Sequence, residues 1–130
     1  MSEQEIAKKK RKKPVSTKGM SAKYFRDRGC QVADVERHLP IPGKFVTVDA
    51  FGFGDLLVII GVRIALVQAT TMANLAAREA KIRAIPEHRA WLYAQGRILV
   101  HGWALRGKRG ERKTWTLTER EILAESPQQR

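Results

Sequence analysis

Two apolar runs, DLLVII and RIALVQATT, are separated only by Gly61 and Val62, and together they predict a buried β-hairpin. Glycine at the first central position of a two-residue loop is the signature of a type II′ turn. The register that this turn imposes places Asp55 directly opposite Gln68, with Cβ atoms about 4.5–5.5 Å apart. Strands so continuously apolar are typical of the centre of a sheet that is covered on both faces.

The open end of this hairpin is polar although its strands are apolar. Thr70 lies two residues beyond Gln68 and therefore shares its face. A buried polar group without a partner costs about 1–3 kcal/mol. Two interpretations remain open. Asp55 and Gln68 could hold a hard divalent cation through their oxygens. Alternatively, Asp55 accepts hydrogen bonds from the Gln68 amide or from the backbone of the FGFG segment.

The remaining pattern predicts an α/β sandwich with a mixed sheet, in the order α-β-β-β-β-α-α-β-β. Capping residues, glycines and prolines set the element ends. We expect a helix at 21–29 capped by Ser21, strands at 30–39, 44–50, 55–60 and 63–71, helices at 72–85 (capped by Thr71) and 86–96, and strands at 97–105 and 113–118.

Charge indicates a polyanionic partner. The formal net charge is +12, and residues 1–18 contribute +5 of it, so the rest of the chain is basic as well. We expect residues 1–18 to form a disordered basic arm and residues 19–130 a single domain. The stretch KKKRKKP is typical of a phosphate-binding arm, but a nuclear-import signal and a solubilising tail have the same composition.

The same sequence predicts a cytoplasmic protein. Cys30 is the only cysteine, so an intramolecular disulfide is excluded. No apolar run approaches the ~20 residues of a membrane helix, and we expect no membrane partner.

With Asp55, the thirteen-residue step to Gln68-Ala-Thr70 and the helix NLAAREAKI, the chain resembles the PD-(D/E)XK nuclease superfamily. The similarity is to small phage and bacterial members, including Holliday-junction-resolvase-like and VRR-type nucleases. It covers about residues 21–103. The resemblance implies a restriction-endonuclease-like three-layer sandwich, a central mixed β-sheet flanked by helices.

The resemblance also implies roles for the hairpin residues. Asp55 takes the position of the metal-binding aspartate, Gln68 that of the glutamate in E-x-K, and Thr70 that of the lysine. Gln68 is neutral where the family has a carboxylate, and Thr70 cannot supply the cation that stabilises charge in phosphoryl transfer. Three explanations stay open: a lysine from elsewhere (Lys81 or Lys44), a further carboxylate (Glu36 or Asp49), or loss of catalysis.

These considerations predict a metal-dependent DNA endonuclease, resolvase-like, acting on DNA that includes branched forms. Mg²⁺ or Mn²⁺ is expected on Asp55, Gln68 and the Ala69 carbonyl. Thr70 is expected to position the attacking water, and Lys81 is the remaining catalytic candidate. The alternative is a catalytically inactive nucleic-acid-binding module on the same fold. A homodimer is left open.

Three groups of side chains are expected to contact the nucleic acid. A solvated surface is the alternative for each group. They are the arm (Lys8, Lys9, Lys10, Arg11, Lys12, Lys13), one stripe of the helix after the hairpin (Asn74, Arg78, Lys81) and the basic turn RGKRGER (Arg106, Lys108, Arg109).

Aromatic residues and histidines are given mainly structural interpretations. Trp91, Trp103 and Trp115 each lie among apolar neighbours and are expected in the core, with stacking on unpaired bases as the alternative. His101 is expected to be structural, with general-base catalysis as the alternative.

Overall fold

The computed structural model describes residues 15–44 and 46–124. The cations Lys8–Lys13 lie outside the described residues, so their predicted role is not addressed by the structure. The elements, numbered here in chain order, are α1 (Thr17–Asp27), β1 (Gln31–Asp34), β2 (Arg37–Leu39), β3 (Val46–Val48), β4 (Leu56–Ile60), β5 (Arg63–Thr71), a 3₁₀ turn (Met72–Asn74), α2 (Leu75–Ala84), α3 (Glu87–Tyr93), β6 (Arg97–Arg106) and β7 (Thr114–Ile122).

Five strands form a mixed sheet in the order β1-β4-β5-β6-β7. Only β5 and β6 are parallel, and α2 and α3 supply the crossover that a parallel pair requires. The β4–β5 hairpin has the predicted register, with Ile60 paired to Arg63. Gly61 has φ of +59° and Val62 has a negative φ, as in a type II′ turn.

Helices pack on both faces of this sheet. Ala22 and Phe25 of α1 contact the apolar side chains of β4 and β5 that face one way, such as Val58 and Val67. Leu75 and Ile82 of α2 pack on the opposite face. The predicted α/β architecture, a mixed sheet flanked by helices, is therefore confirmed.

Helix α1 begins earlier than predicted. Its N-cap is Ser16, whose hydroxyl accepts a hydrogen bond from the Gly19 amide at 2.9 Å. Ser21, predicted as the cap, lies instead on the buried face of the helix. The prediction of a disordered arm extending to residue 18 is wrong at its end, because Thr17 and Lys18 are helical.

The single strand predicted at 30–39 is two strands in different sheets. The Asp34 carboxylate accepts a hydrogen bond from the Glu36 amide at 3.1 Å, and this local turn interrupts the strand. The second piece, β2, pairs antiparallel with β3 in a separate two-stranded sheet. The strand predicted at 44–50 corresponds to β3.

The C-terminal half differs from prediction in two details. Thr71 makes no side-chain capping bond, and the chain first forms the 3₁₀ turn before α2. Strand β7 runs from Thr114 to Ile122 and pairs with β6 along its whole length. Among the described residues, no helix is long and apolar enough to cross a membrane.

Candidate metal and nucleic-acid site

The FGFG segment folds the chain back on itself immediately before the central hairpin. Ala50 and Gly54 form an antiparallel bridge, and Phe51 and Gly52 adopt the left-handed φ values that close the turn between them. A side chain at Gly54 would come within 2.7 Å of Leu66, so a residue without a Cβ is needed there. The residues that flank this bridge are Asp49 and Asp55.

A third carboxylate arrives from the small sheet. The β2–β3 register pairs Arg37 with Val48, and the next positions in that register are Glu36 and Asp49. The Val35 amide donates to the Asp55 carbonyl at 3.0 Å, which anchors this segment beside the hairpin. One carboxylate oxygen from each of Glu36, Asp49 and Asp55 lies within 4.8 Å of the others. Both carboxylates proposed as additions to Asp55 are therefore at the site.

Asp55 accepts a hydrogen bond from the Gln68 amide, as the second interpretation predicts, but its other donor is the Ala69 backbone N–H and not the FGFG backbone. The Gln68 Nε2 donates to Asp55 Oδ2 at 2.9 Å, and the Ala69 backbone N–H donates to the same oxygen at 3.1 Å. Both residues thus present nitrogen donors to Asp55 rather than the oxygen ligands expected from the sequence. Glu36 and Asp49 supply the oxygens instead.

Burial and the repulsion between like charges raise the pKa values of two carboxylates in this cluster, Asp49 and Asp55. Burial, followed by the Asp49 carboxylate, raises the pKa of Asp55 to about 7, although the Ala69 N–H opposes the shift. The pKa of Asp49 is also raised, chiefly by burial, while the charge of Arg78 acts to lower it. Without a cation, the half-buried Asp49 and the buried Asp55 favour sharing a proton, because both carboxylates have raised pKa values and two adjacent carboxylates cannot both ionise cheaply.

The lysine at this site is Lys18, which the sequence analysis had assigned to the arm. Its Nζ lies 2.7 Å from Glu36 Oε1 and 2.8 Å from Asp34 Oδ2. Partial burial acts to lower the pKa of Lys18, but the hydrogen bonds to these carboxylates outweigh it and raise the pKa above its ordinary value. The two lysines proposed earlier, Lys44 and Lys81, are exposed and have no ion pair with a described residue. The Ser16 cap was the sequence signal that would have included Lys18 in the folded domain.

Thr70 is a buried residue whose hydroxyl has no hydrogen-bond partner among residues 15–44 and 46–124. It is 6% exposed. It shares the sheet face of Gln68, which holds Asp55. Since an unpartnered buried hydroxyl costs about 1–3 kcal/mol, a water or ligand is expected to complete this site.

Two of the three groups of residues predicted to contact nucleic acid, the α2 stripe and the basic turn, lie within the described part of the chain. Arg78 is half-buried near Asp49, whereas Asn74 and Lys81 are exposed around α2. Arg106, at the end of β6, and Lys108 and Arg109, in the turn before β7, are exposed, as the alternative of a solvated turn also requires. Of these predicted contact residues in the described ranges, Arg78 is the one linked electrostatically to the carboxylate cluster.

A buried polar network surrounds His101 on the α1 face. Its Nδ1 lies 2.8 Å from Ser21 Oγ, and its Nε2 lies 2.8 Å from Glu119 Oε2. The carboxylate only accepts, so Nε2 donates to Glu119, and the Trp103 Nε1 donates to Ser21 Oγ. Ser21 and His101 have no exposed surface. A serine buried in this way cannot reach a substrate, and the structural interpretation of His101 fits.

The three tryptophans differ in exposure. Trp103 is buried and Trp91 is half-buried, with its Nε1 donating to the Arg97 carbonyl at 2.7 Å. Trp115 is 45% exposed, so its assignment to the core was wrong.

Comparison with protein-family models, with curated proteins and with solved structures found no match to this chain.

Proposed function

We propose that this chain is a metal-dependent DNA endonuclease with a restriction-endonuclease-like, PD-(D/E)XK-type sandwich. The observation that supports this most directly is the convergence of Glu36, Asp49 and Asp55 at the open end of the central hairpin. Two segments deliver these carboxylates, the turn that Asp49 and Asp55 flank and the residue before β2, and their mutual repulsion costs stability unless a cation or protons lie between them.

The residues present fit a hard divalent cation. Carboxylate oxygens are the ligands that Mg²⁺ and Mn²⁺ prefer, and Mg²⁺ commonly keeps waters in its remaining positions. Glu36, Asp49 and Asp55 would hold the cation, and the Thr70 hydroxyl lacks a described partner where a bound water would supply one. When bound, the cation polarises a phosphoryl oxygen and lowers the pKa of an attacking water.

The chain's own residues have separable roles in phosphodiester hydrolysis. Gln68 and Ala69 orient Asp55 through its Oδ2. Lys18, beside Glu36, supplies the positive charge that Thr70 cannot supply. Arg78 and Lys81 hold the DNA backbone. Water forms a bond to phosphorus and releases a proton to bulk water, while the bond from phosphorus to the leaving ester oxygen breaks and that oxygen takes up a proton from bulk water.

A second candidate function is a catalytically inactive nucleic-acid-binding module. The observation that favours it is that Asp55 Oδ2 already accepts two hydrogen bonds from the protein. In that case Asp55 is a structural residue, and the basic surfaces bind DNA without cleaving it.

Calorimetric titration with Mg²⁺ and Mn²⁺, combined with a cleavage assay on linear, nicked and branched DNA, distinguishes the two functions. The nuclease proposal requires saturable metal binding and cleavage that Asp49→Asn and Asp55→Asn both abolish. Glu87→Gln, which changes an exposed carboxylate on α3, is the matched control and should leave both unchanged. DNA binding with no metal uptake and no cleavage would establish the inactive module.

A further inference from the structure

An open groove of about 350 Å³ lies between α1 and the β6–β7 hairpin, on the face opposite α2. We call it the aromatic groove, and its aromatic members are Tyr24, Trp103 and Trp115. The β6–β7 register pairs Trp103 with Leu117 and Leu105 with Trp115, so the two tryptophans are diagonal neighbours on one face. Trp115 thus extends an aromatic surface from the buried core into solvent.

Cations surround this aromatic surface. Arg28 lies over the Tyr24 ring, with its Cζ 3.6 Å from the ring centroid, and Lys23 borders the same groove. Asp27 also borders the groove and pairs with Lys23 at 2.6 Å. The groove therefore has a net positive charge among its described residues.

A further cationic segment ends near the groove. Residues 106–113 contain five Lys or Arg and one Glu, and Lys113 is two residues before Trp115. Positive charge from Lys23 and Arg28 of α1 and from this segment thus accompanies the exposed aromatic ring.

We propose that the aromatic groove binds unpaired nucleobases of single-stranded DNA, with Trp115 as the stacking platform. Exposed aromatic rings flanked by cations are the usual means of binding single strands, because every base has a face for stacking and every linkage has a phosphate. This proposal rests on the proposed function and specifies its substrate: DNA in which an unpaired strand adjoins the cleaved duplex.

The test measures binding of the full chain to a short oligothymidylate and to an abasic oligomer of the same length, both with EDTA so that cleavage plays no part. Trp115→Ala should weaken oligothymidylate binding about tenfold and leave the abasic oligomer unaffected. Trp115→Phe should retain most of the affinity. Tyr93→Ala removes an aromatic residue that is 89% exposed on α3 and serves as the matched control.

Several outcomes would overturn the proposal. One is equal weakening for both oligomers, and another is no change for either in a folded Trp115→Ala protein. Protection of Trp115 from acrylamide quenching without DNA would show that protein covers the groove. Analytical ultracentrifugation would then identify what covers the groove. A dimer would indicate a second copy of the chain, and a monomer would indicate the chain's own N-terminal arm.

Failure here is distinguishable from failure of the proposed function. If Asp55→Asn abolishes cleavage but Trp115→Ala does not discriminate between the oligomers, the proposed nuclease function is supported and the proposed stacking site is wrong. If no cleavage is found and Trp115→Ala does discriminate between the oligomers, the stacking site is supported and the protein is an inactive binding module.

Discussion

The carboxylate cluster makes the stability of this protein depend on pH in an unusual direction. The pKa of Asp55 is raised from its ordinary 3.8 to about 7, so the folded state binds more protons than the unfolded state between these values. Stability without metal should therefore fall as pH rises from about 4 to about 7. At 1.36 kcal/mol for each pKa unit, the loss attributable to Asp55 is at most about 4 kcal/mol.

Replacing Asp55 with Asn removes this ionisation with little change in shape. The variant should lose less stability than the wild type over the same pH range, and at pH 8 with EDTA it should be the more stable protein. Mg²⁺ at 1,000 times its Kd should offset this difference, since a ligand at that concentration adds about 4.1 kcal/mol to the wild type alone.

Urea unfolding followed by tryptophan fluorescence at pH 5 and pH 8, with EDTA or Mg²⁺, measures all of these free energies. Glu87→Gln controls for the loss of an arbitrary carboxylate. Equal pH dependence in wild type and Asp55→Asn would refute the shared-proton argument. Equal stabilisation of the two by Mg²⁺ would refute the metal site.

Three further predictions concern single features of the molecule. Gln68→Glu should lower the melting temperature at pH 8 in EDTA, because the substitution places a second carboxylate opposite Asp55. Mg²⁺ should restore the melting temperature, and no recovery would contradict the metal site. Lys18→Met should reduce cleavage at least about 100-fold while Lys44→Met has little effect, and equal effects in single-turnover assays would remove Lys18 from the site. Replacing Lys8–Lys13 with Gln should lower the slope of log affinity against log salt by up to about five; an unchanged slope would show that these residues make no phosphate contacts.

The local sequence determined the centre of the fold. A glycine-containing two-residue turn between two apolar runs permits one register, and that register put Asp55 opposite Gln68 as observed. Apolar spacing and the proline and glycine breaks also predicted the two helices between β5 and β6, since these signals act within a few residues. The hydrogen bond from Gln68 to Asp55 was one of two outcomes that the sequence allowed.

Only the tertiary structure decided which side chains meet at the site. A second small sheet and a tight turn bring Glu36 and Asp49 to Asp55, and the start of α1 brings Lys18 to Glu36. Nothing in the periodicity of any one segment encodes these distances. Trp115 was assigned to the core because its neighbours are apolar, but exposure depends on where α1 stops covering the sheet. Local sequence patterns determine the secondary-structure elements and the hairpin register. The meeting of distant side chains at the site and the exposure of Trp115 depend on how separate elements pack, which is a property of the whole chain.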